Sequence, residues 1–343
     1  MSPLSTSQHP GGVLVISLDF ELHWGVFDHL SVDDYRKNLL GARASIPRML
    51  ALFEEFEIHA TWATVGLLFF GTREDLIAGL PARRPQYVDQ RLSAYGLLDS
   101  LGPNERDDPF HFARELVLRI RDTPNQEVAT HTFSHYYCLE PGQTTEDFRA
   151  DLIAAQRAAR SLGIEITSMV FPRNQYSAPH LDVCAELGIR AFRGNEQSWI
   201  YRPTRASAQG RLRRALRLAD SYMNLTGHHT PPRVELSDVS SLNIPASRFL
   251  RPYSRRLGML DGLKRRRIMR SMTHAADTGS IFHLWWHPHN TGGEPERNMA
   301  ELRRLLEHFR ELSHELGMRS LTMSELAAES GDAARLTRVA GDR

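Results

Sequence analysis

The chain has 343 residues, and its 42 basic and 41 acidic residues give a net charge of +1, which favours no polyanionic partner. Hydrophobic residues make up 41% of the sequence, enough for a large buried core, which argues against global disorder. The two cysteines, with no CxxC motif, exclude a disulfide framework and a cysteine-based zinc site. We find no apolar run of about 18 residues and no leader-like start, so we expect no membrane span and a cytoplasmic protein.

Short apolar strands and helical segments alternate along the chain. Residues 13–20 (VLVISLDF) form a continuous apolar run, which is typical of a strand buried on both faces of a parallel sheet. The pattern then predicts a helix over 38–56 and a second strand over 59–70. Residues 72–112 are rich in Arg, Pro, Gly and Asp, and we interpret them as an excursion with short helices.

The alternation continues to the last helix. We predict helices over 113–121, 144–162, 179–187 and 296–316, and strands over 126–131, 165–171, 190–192, 280–286 and 319–323. Strands alternating with helices predict an α/β fold with a parallel sheet, and this number of repeats predicts a distorted or incomplete (β/α) barrel. The predicted domain is 12–328, with irregular insertions at about 72–112 and 194–275, a disordered N-terminal tail over 1–11 and a C-terminal tail over 329–343.

Ionisable side chains follow four of the predicted strands. They are Asp19 and Glu21 after the first strand, His131 and His135 after another, Arg173 after a third, and His287 and His289 after the last long one. Active groups of such folds lie at the carboxyl ends of the strands. Packing explains ionisable residues at four strand ends poorly, so this edge is the predicted active site.

Two of these groups suit a metal ion. Asp19 and Glu21 are two residues apart on an extended chain, so both carboxylates could face one pocket, although a pair serving turns or a helix cap is the alternative. His131 and His135 (HTFSH) could bind one metal from a single helical turn, and surface or capping histidines are the alternative. Thr132 stands where the HExxH protease signature has Glu. Two histidines and a carboxylate together form a common metal-ligand set with open positions.

The last long strand carries alternating aromatic and imidazole groups. Alternation places His283, Trp285, His287 and His289 on one face, either as core residues or with one histidine acting as an acid toward a leaving amine. Arg173 either pairs with the carboxylate that does not bind metal or forms a surface salt bridge.

These motifs, in this order, resemble the polysaccharide deacetylases (NodB homology, carbohydrate esterase family 4). HATWATVG is similar to that family's second strand and EVATHTFSH to its metal motif. The stretches ISLDFELHWG, FPRNQ, IPASRFLRP and LWWHPHN resemble a cytoplasmic branch linked to surface-polysaccharide (O-antigen, lipopolysaccharide) biosynthesis. The resemblance covers about residues 12–325. It implies metal-dependent removal of the N-acetyl group from an amino sugar.

The resemblance also implies a role for each site residue. Asp19 would be the base, His287 the acid, Arg173 the group that orients Asp19, and Glu21, His131 and His135 the metal ligands. The family's adjacent Asp-Asp pair is replaced by Asp-x-Glu, and we choose Glu21 as the ligand because its side chain reaches further. The family's usual Arg-x-Pro is inverted to Pro-Arg in this chain, at Arg173. Asp220 is the candidate for the acidic residue that tunes the final histidine.

Further residues are predicted to contact the substrate. They are Trp24, Asn174, Trp286 and His289, with core burial as the alternative for the tryptophans. The ligand set favours zinc, and cobalt, nickel and manganese are also admissible. The expected partner is an N-acetylated sugar, either free or linked to a nucleotide or a lipid.

Two Arg-rich segments, 211–217 and 264–270, have two interpretations. They either contact the phosphates of a nucleotide-linked or lipid-linked sugar or form solvated helix faces. A peripheral membrane contact is left open. Their lack of interleaved aromatic residues argues against a nucleic-acid partner.

Two other functions stay open at this point. The first is hydrolysis of a different amide, such as a cyclic ureide or a small N-acyl metabolite. The second is a glycan-binding protein without turnover, against which the retention of Asp19, His287 and the three ligands argues.

Overall fold

A parallel sheet forms the centre of the fold. The computed structural model describes residues 11–201, 211–233 and 241–331. Within these ranges the strands are β1 (Val13–Phe20), β2 (Ala60–Thr64), β3 (Gln126–Thr130), β4 (Ser168–Val170), β5 (Ala191–Gly194), β6 (Leu242–Pro245), β7 (Arg248–Phe249), β8 (Ile281–Trp286) and β9 (Arg319–Ser320). Their order is β6-β5-β4-β3-β2-β1-β8-β7, with β9 beside β1, and all the pairings are parallel.

Helices surround this sheet. They are α1 (Val32–Glu55), α2 (Arg73–Gly79), α3 (Arg114–Asp122), α4 (Thr145–Arg160), α5 (Ala178–Glu186), α6 (Arg211–Asp220), α7 (Asp261–Thr278), α8 (Pro288–Thr291) and α9 (Pro295–Leu316). The start of α4 is a capping box between Thr144 and Asp147, and α9 ends at Gly317 with a φ of 70°. None of the helices in the described ranges combines the length and the apolar character needed to cross a membrane.

The two ends of the sheet are joined by one chain segment. Only Ala246 and Ser247 separate β6 from β7. The backbone N–H of Ala246 donates to Gly194 of β5, and that of Ser247 donates to His283 of β8. The sheet is therefore curled into a distorted barrel with helices outside it, which confirms the predicted fold class.

The two faces of the sheet carry different cores. Leu14, Ile16, Leu18 and Phe20 alternate along β1 on the helix-packed side, within the larger hydrophobic core. The other face packs in a smaller inner core of Val13, Val15, Ala63, Ala129, Val170, Ala191, Leu242, Ile244, Ile281, Leu321, Met323 and Leu326. Ser17 and Asp19 continue the inner row of β1, so strand parity places Asp19 inside the barrel at its carboxyl end.

Most predicted elements are present, and one region differs. Residues 72–112 contain α2 and short 3-10 helices, as expected. Residues 194–275 were predicted as an irregular insertion, but they supply β6, β7, α6 and α7. The prediction failed there because β6 and β7 together span only residues 242–249 and carry little periodicity. The domain limits stay a prediction, and residues 1–10, 202–210, 234–240 and 332–343 lie outside the described residues.

Gly41 of α1 provides a test of the packing next to the site. A Cβ atom at this position would lie 2.1 Å from the carbonyl oxygen of Gly292, directly after α8. We expect Gly41→Ala to lower the free energy of unfolding by about 1–3 kcal/mol, because backbone cannot move aside easily. Gly262→Ala in α7 is the control, since no atom lies within 4 Å of that Cβ position. Denaturant unfolding that finds both variants equally stable would contradict this packing.

Candidate metal centre and active site

Three buried side chains converge at the carboxyl edge of the sheet. Glu21 follows β1, and His131 and His135 follow β3. Glu21 Oε2 lies 3.1 Å from Nε2 of His131 and 3.1 Å from Nε2 of His135. Gly25 packs against the Glu21 carboxylate, where a Cβ atom would lie 2.0 Å from Oε1. The structure thus brings the three predicted ligands together, and a side chain at position 25 would displace one of them.

The outer nitrogen of each imidazole is held by another group. Nδ1 of His131 lies 2.8 Å from the carbonyl oxygen of Val170, which can only accept, so this nitrogen carries the proton. Nδ1 of His135 lies 3.1 Å from the Tyr137 hydroxyl. Burial lowers the pKa of His135 and favours its neutral form. Both rings therefore present Nε2 to Glu21, as metal-binding histidines with supporting hydrogen bonds do.

The surroundings of the Glu21 carboxylate show whether a metal ion would fit between Glu21, His131 and His135. Its side chain is 3% exposed, and Oε2 makes no hydrogen bond within the described part of the chain. Burial alone would raise the pKa of Glu21, but His287, His131 and His135 hold it well below the usual value. A buried anionic oxygen without a hydrogen bond requires a cation nearby. Ligands on one tetrahedral zinc lie about 3.3 Å apart, close to the observed separations. The residues fit a divalent metal.

The histidine motif adopts a loop and not the predicted helical turn. Thr132 and His135 have φ values of 64° and 57°, in the left-handed region. The ring centroids of His131 and His135 are 5.1 Å apart. The helical interpretation was wrong because side-chain spacing alone does not distinguish a helical turn from a loop with left-handed residues.

Asp151 of α4 holds this loop in place. Its Oδ1 accepts a hydrogen bond of 2.6 Å from the N–H of Phe133, and its Oδ2 accepts from the N–H of Ser134 at 3.1 Å and from the Ser134 hydroxyl. Burial raises the pKa of Asp151 to about 6 despite these bonds. A single carboxylate thus fixes the backbone between the two histidines.

Asp19 is paired with an arginine that the sequence analysis missed. Nη1 and Nη2 of Arg193, on β5, donate to Oδ1 and Oδ2 of Asp19 at 2.7 and 2.8 Å. Arg193 also donates to Ser17 and to Asn174, and its guanidinium carbon lies 4.1 Å from the Trp285 ring centroid. Burial alone would raise the pKa of Asp19, but the charge of Arg193 reverses the shift and lowers it. Asp19 is therefore held ionised.

The orienting role predicted for Arg173 is wrong in this structure. Arg173 pairs with Asp28, approaches Glu140 Oε1 at 4.0 Å and lies over the Tyr137 ring. It lies in the turn after β4 with a φ of 54°, whereas Arg193 lies inside a strand, next but one to the inward-facing Ala191. Strand parity within β5 is the signal that could have identified Arg193.

His287 lies beside both carboxylates. Its Nε2 is 3.5 Å from Asp19 Oδ2 and 3.6 Å from Glu21 Oε1, and its side chain is 22% exposed. Its Nδ1 lies 3.3 Å from Nδ2 of Asn290. Asp220 does not tune this histidine as predicted, because it is buried against Arg248.

The neighbouring histidines of this segment are fully buried. His289 Nε2 lies 3.7 Å from Glu21 Oε1, and burial lowers the pKa of His289 to about 3. His283 contacts Ser17 and the carbonyl oxygen of Ile244, so it links the strands of the inner face. Both rings are neutral parts of the wall beneath His287.

A cavity of about 450 Å³ opens onto these groups. Its lining residues are Asp19, Glu21, Gly25, His29, His131, His135, Arg173, Asn174, Arg214, Trp285 and His287. Asn174 is among them, as predicted. The substrate contacts predicted for Trp24 and Trp286 are wrong, because both are fully buried: Trp24 donates to the carbonyl oxygen of His111, and Trp286 packs against Phe53. Trp285, on the inward face of β8, lines the cavity in their place.

The Asp151 contacts lead to a test of loop positioning. In Asp151→Asn, one carbonyl oxygen replaces two acceptor oxygens, and the amide NH₂ would face a backbone or hydroxyl donor. We expect the affinity for zinc to fall by about 10–100-fold, measured by competition with a chelator. Asp182→Asn, at an exposed site of α5, is the control and should bind zinc as the parent does. Parent-like affinity of Asp151→Asn would contradict the role given to this residue.

The pairing of Asp19 can be measured with double-mutant cycles. Asp19→Asn and Arg193→Gln should show a coupling of about 1–3 kcal/mol in the free energy of unfolding, because the two groups share one buried ion pair. The same cycle with Arg173→Gln should give less than about 0.5 kcal/mol. Denaturant unfolding of the metal-free protein provides both values, and stronger coupling to Arg173 would reverse the assignment.

Comparisons with known proteins agree with the fold and the motif. The polysaccharide deacetylase family model matches residues 28–192, a range that contains His131 and His135. No curated protein matches the sequence. A Mycobacterium smegmatis protein assigned to the polysaccharide deacetylases has a TM-score of 0.60 at 16% identity, covering 98% of this chain and 95% of its own.

Two further solved structures share the fold. A Pseudomonas aeruginosa PAO1 protein, also assigned to the polysaccharide deacetylases, has a TM-score of 0.51 at 12% identity, covering 92% of this chain and 89% of its own. Puue allantoinase has a TM-score of 0.52 at 12% identity, covering 96% and 92%. These identities show a shared fold alone. The family match over residues 28–192, a range that includes the histidine motif, confirms the resemblance to the polysaccharide deacetylases seen in the sequence.

Proposed function

We propose that this protein is a divalent-metal-dependent hydrolase that removes the N-acetyl group from an amino sugar. The match to the polysaccharide deacetylase family model supports a deacetylase acting on a C–N bond. One observation carries the finer proposal: the cavity that contains the Glu21, His131 and His135 set also contains an ionised carboxylate and a partly exposed imidazole. These are the groups that amide hydrolysis requires.

Glu21, His131 and His135 would hold the metal. Nitrogen and carboxylate ligands suit zinc, with cobalt, nickel and manganese as alternatives. When bound, a divalent metal supplies Lewis-acid activation of an amide carbonyl and of water.

Asp19 is the proposed base. Arg193 occupies both of its oxygens with in-plane hydrogen bonds, so the carboxylate keeps one orientation and stays ionised. It can therefore accept a proton from a water that attacks the acetamide carbonyl. Arg193 never touches the reacting atoms and acts as a positioning residue.

His287 is the proposed acid. In its protonated form, His287 carries a proton on Nε2, the nitrogen that lies beside Asp19 and Glu21. As the amide C–N bond breaks, this proton passes to the departing nitrogen. One water is consumed, and acetate and a free amine are the products. The partial exposure of His287 allows its proton to be replaced from solvent.

An amino sugar suits the remaining walls of the cavity. Trp285 presents an aromatic face held by Arg193, and Asn174 adds polar contacts next to it. A volume of about 450 Å³ accommodates a sugar unit. A place in surface-polysaccharide (O-antigen) synthesis and a cytoplasmic location stay predictions from the resemblance of the sequence.

Substitution of the base and substitution of a metal ligand should have different effects on activity and on zinc content. We expect Asp19→Asn to reduce acetate release from N-acetylated sugars by at least about 100-fold while the zinc content stays unchanged. His135→Ala should lose both zinc and activity, and Asp182→Asn should lose neither. Acetate release and metal analysis of the same preparations provide the test. Acetate release that persists in the presence of a chelator, or that is unchanged in Asp19→Asn, would contradict the proposal.

A further inference from the structure

One positive charge at the cavity has no partner among the described residues. Arg214 of α6 is exposed and lines the same cavity as Glu21, His131 and His287. Within the part of the chain that the structure describes, Arg214 makes no hydrogen bond and no ion pair. Two other charged residues that line the cavity are paired: Asp19 pairs with Arg193, and Arg173 pairs with Asp28.

The helix α6, which carries Arg214, is rich in arginine. The sequence of α6, RLRRALRLAD, contains four arginines and one acidic residue, Asp220. Asp220 is already paired with Arg248 and contacted by Tyr201. Burial and the charge of Arg213 lower the pKa of Arg217, whose Nε donates to the carbonyl oxygen of Ile200. Arg214 therefore brings positive charge to the rim of the cavity, where it attracts anions.

We infer that the substrate is an acidic amino sugar, carrying a phosphate or a carboxylate group that Arg214 binds while the acetamide lies at the Glu21, His131 and His135 set. The second part of this statement rests on the proposed function. A guanidinium forms paired hydrogen bonds with either anion, so Arg214 would select charged over neutral sugars. Arg214 is a specificity-determining residue and takes no part in the chemical step.

Binding to the zinc-loaded full-length chain tests this inference directly. The probes are N-acetylglucosamine 1-phosphate, N-acetylglucosaminuronic acid and neutral N-acetylglucosamine, with affinities measured by calorimetry. We expect one of the two acidic probes to bind tighter than the neutral one, and Arg214→Gln to weaken that probe by about tenfold without affecting the neutral sugar. The tighter probe tells phosphate from carboxylate. Arg214→Lys should keep part of the preference, and Arg119→Gln, at an exposed site of α3, should keep all of it.

Three results would overturn the inference: equal affinity for acidic and neutral probes, an unchanged preference in Arg214→Gln, or no binding of any probe. Acetate release on the same probes separates this outcome from the proposed function. Arg214-dependent binding without acetate release would leave the inference standing and remove deacetylation. Acetate release that is equal on all probes, and unaffected by Arg214→Gln, would support deacetylation and contradict the role inferred for Arg214.

Discussion

The carboxylate of Glu21 is buried and ionised, and its Oε2 lies 3.1 Å from two imidazole nitrogens. Among the described residues, no group forms a hydrogen bond with this oxygen. Such a charge is costly in a protein interior unless a cation balances it. Neighbouring residues hold the carboxylate and the two imidazole rings in this arrangement. The Val170 carbonyl oxygen and the Tyr137 hydroxyl fix the two rings, Asp151 fixes the loop between them, and Gly25 leaves room for the carboxylate.

A second carboxylate nearby requires its own positive partner. Two ionised groups on neighbouring alternate residues of one strand end repel each other unless each is compensated separately. Asp19 has Arg193, which occupies both of its oxygens, and Glu21 is left for the metal. This division of charge supports Glu21 as the carboxylate ligand and Asp19 as the base. It also explains why the side chain of Arg193, on β5, extends into the barrel toward Asp19.

The edge of the sheet that carries the site, and most of the groups on it, could be predicted from the sequence. Apolar strands are visible as runs of residues, and polar residues that end them stand out, as Asp19, His131 and His287 do. Arg193 did not stand out, because it lies within a short strand and its partner is 174 positions away. The choice of Trp286 over Trp285 was avoidable, because alternation along the strand already placed Trp285 on the same face as the predicted acid His287. β6 and β7 were missed because each pairs with a different neighbour over only a few residues.

Anomalous diffraction at the zinc edge, from crystals of the zinc-loaded protein, tests the metal centre most directly. We expect a single strong peak at this edge of the sheet, about 2 Å from Oε2 of Glu21 and from Nε2 of both His131 and His135. Asp19 should remain paired with Arg193 in the same crystals. A peak bonded to Asp19 instead of Glu21, or no peak between the two histidines, would contradict the site described above.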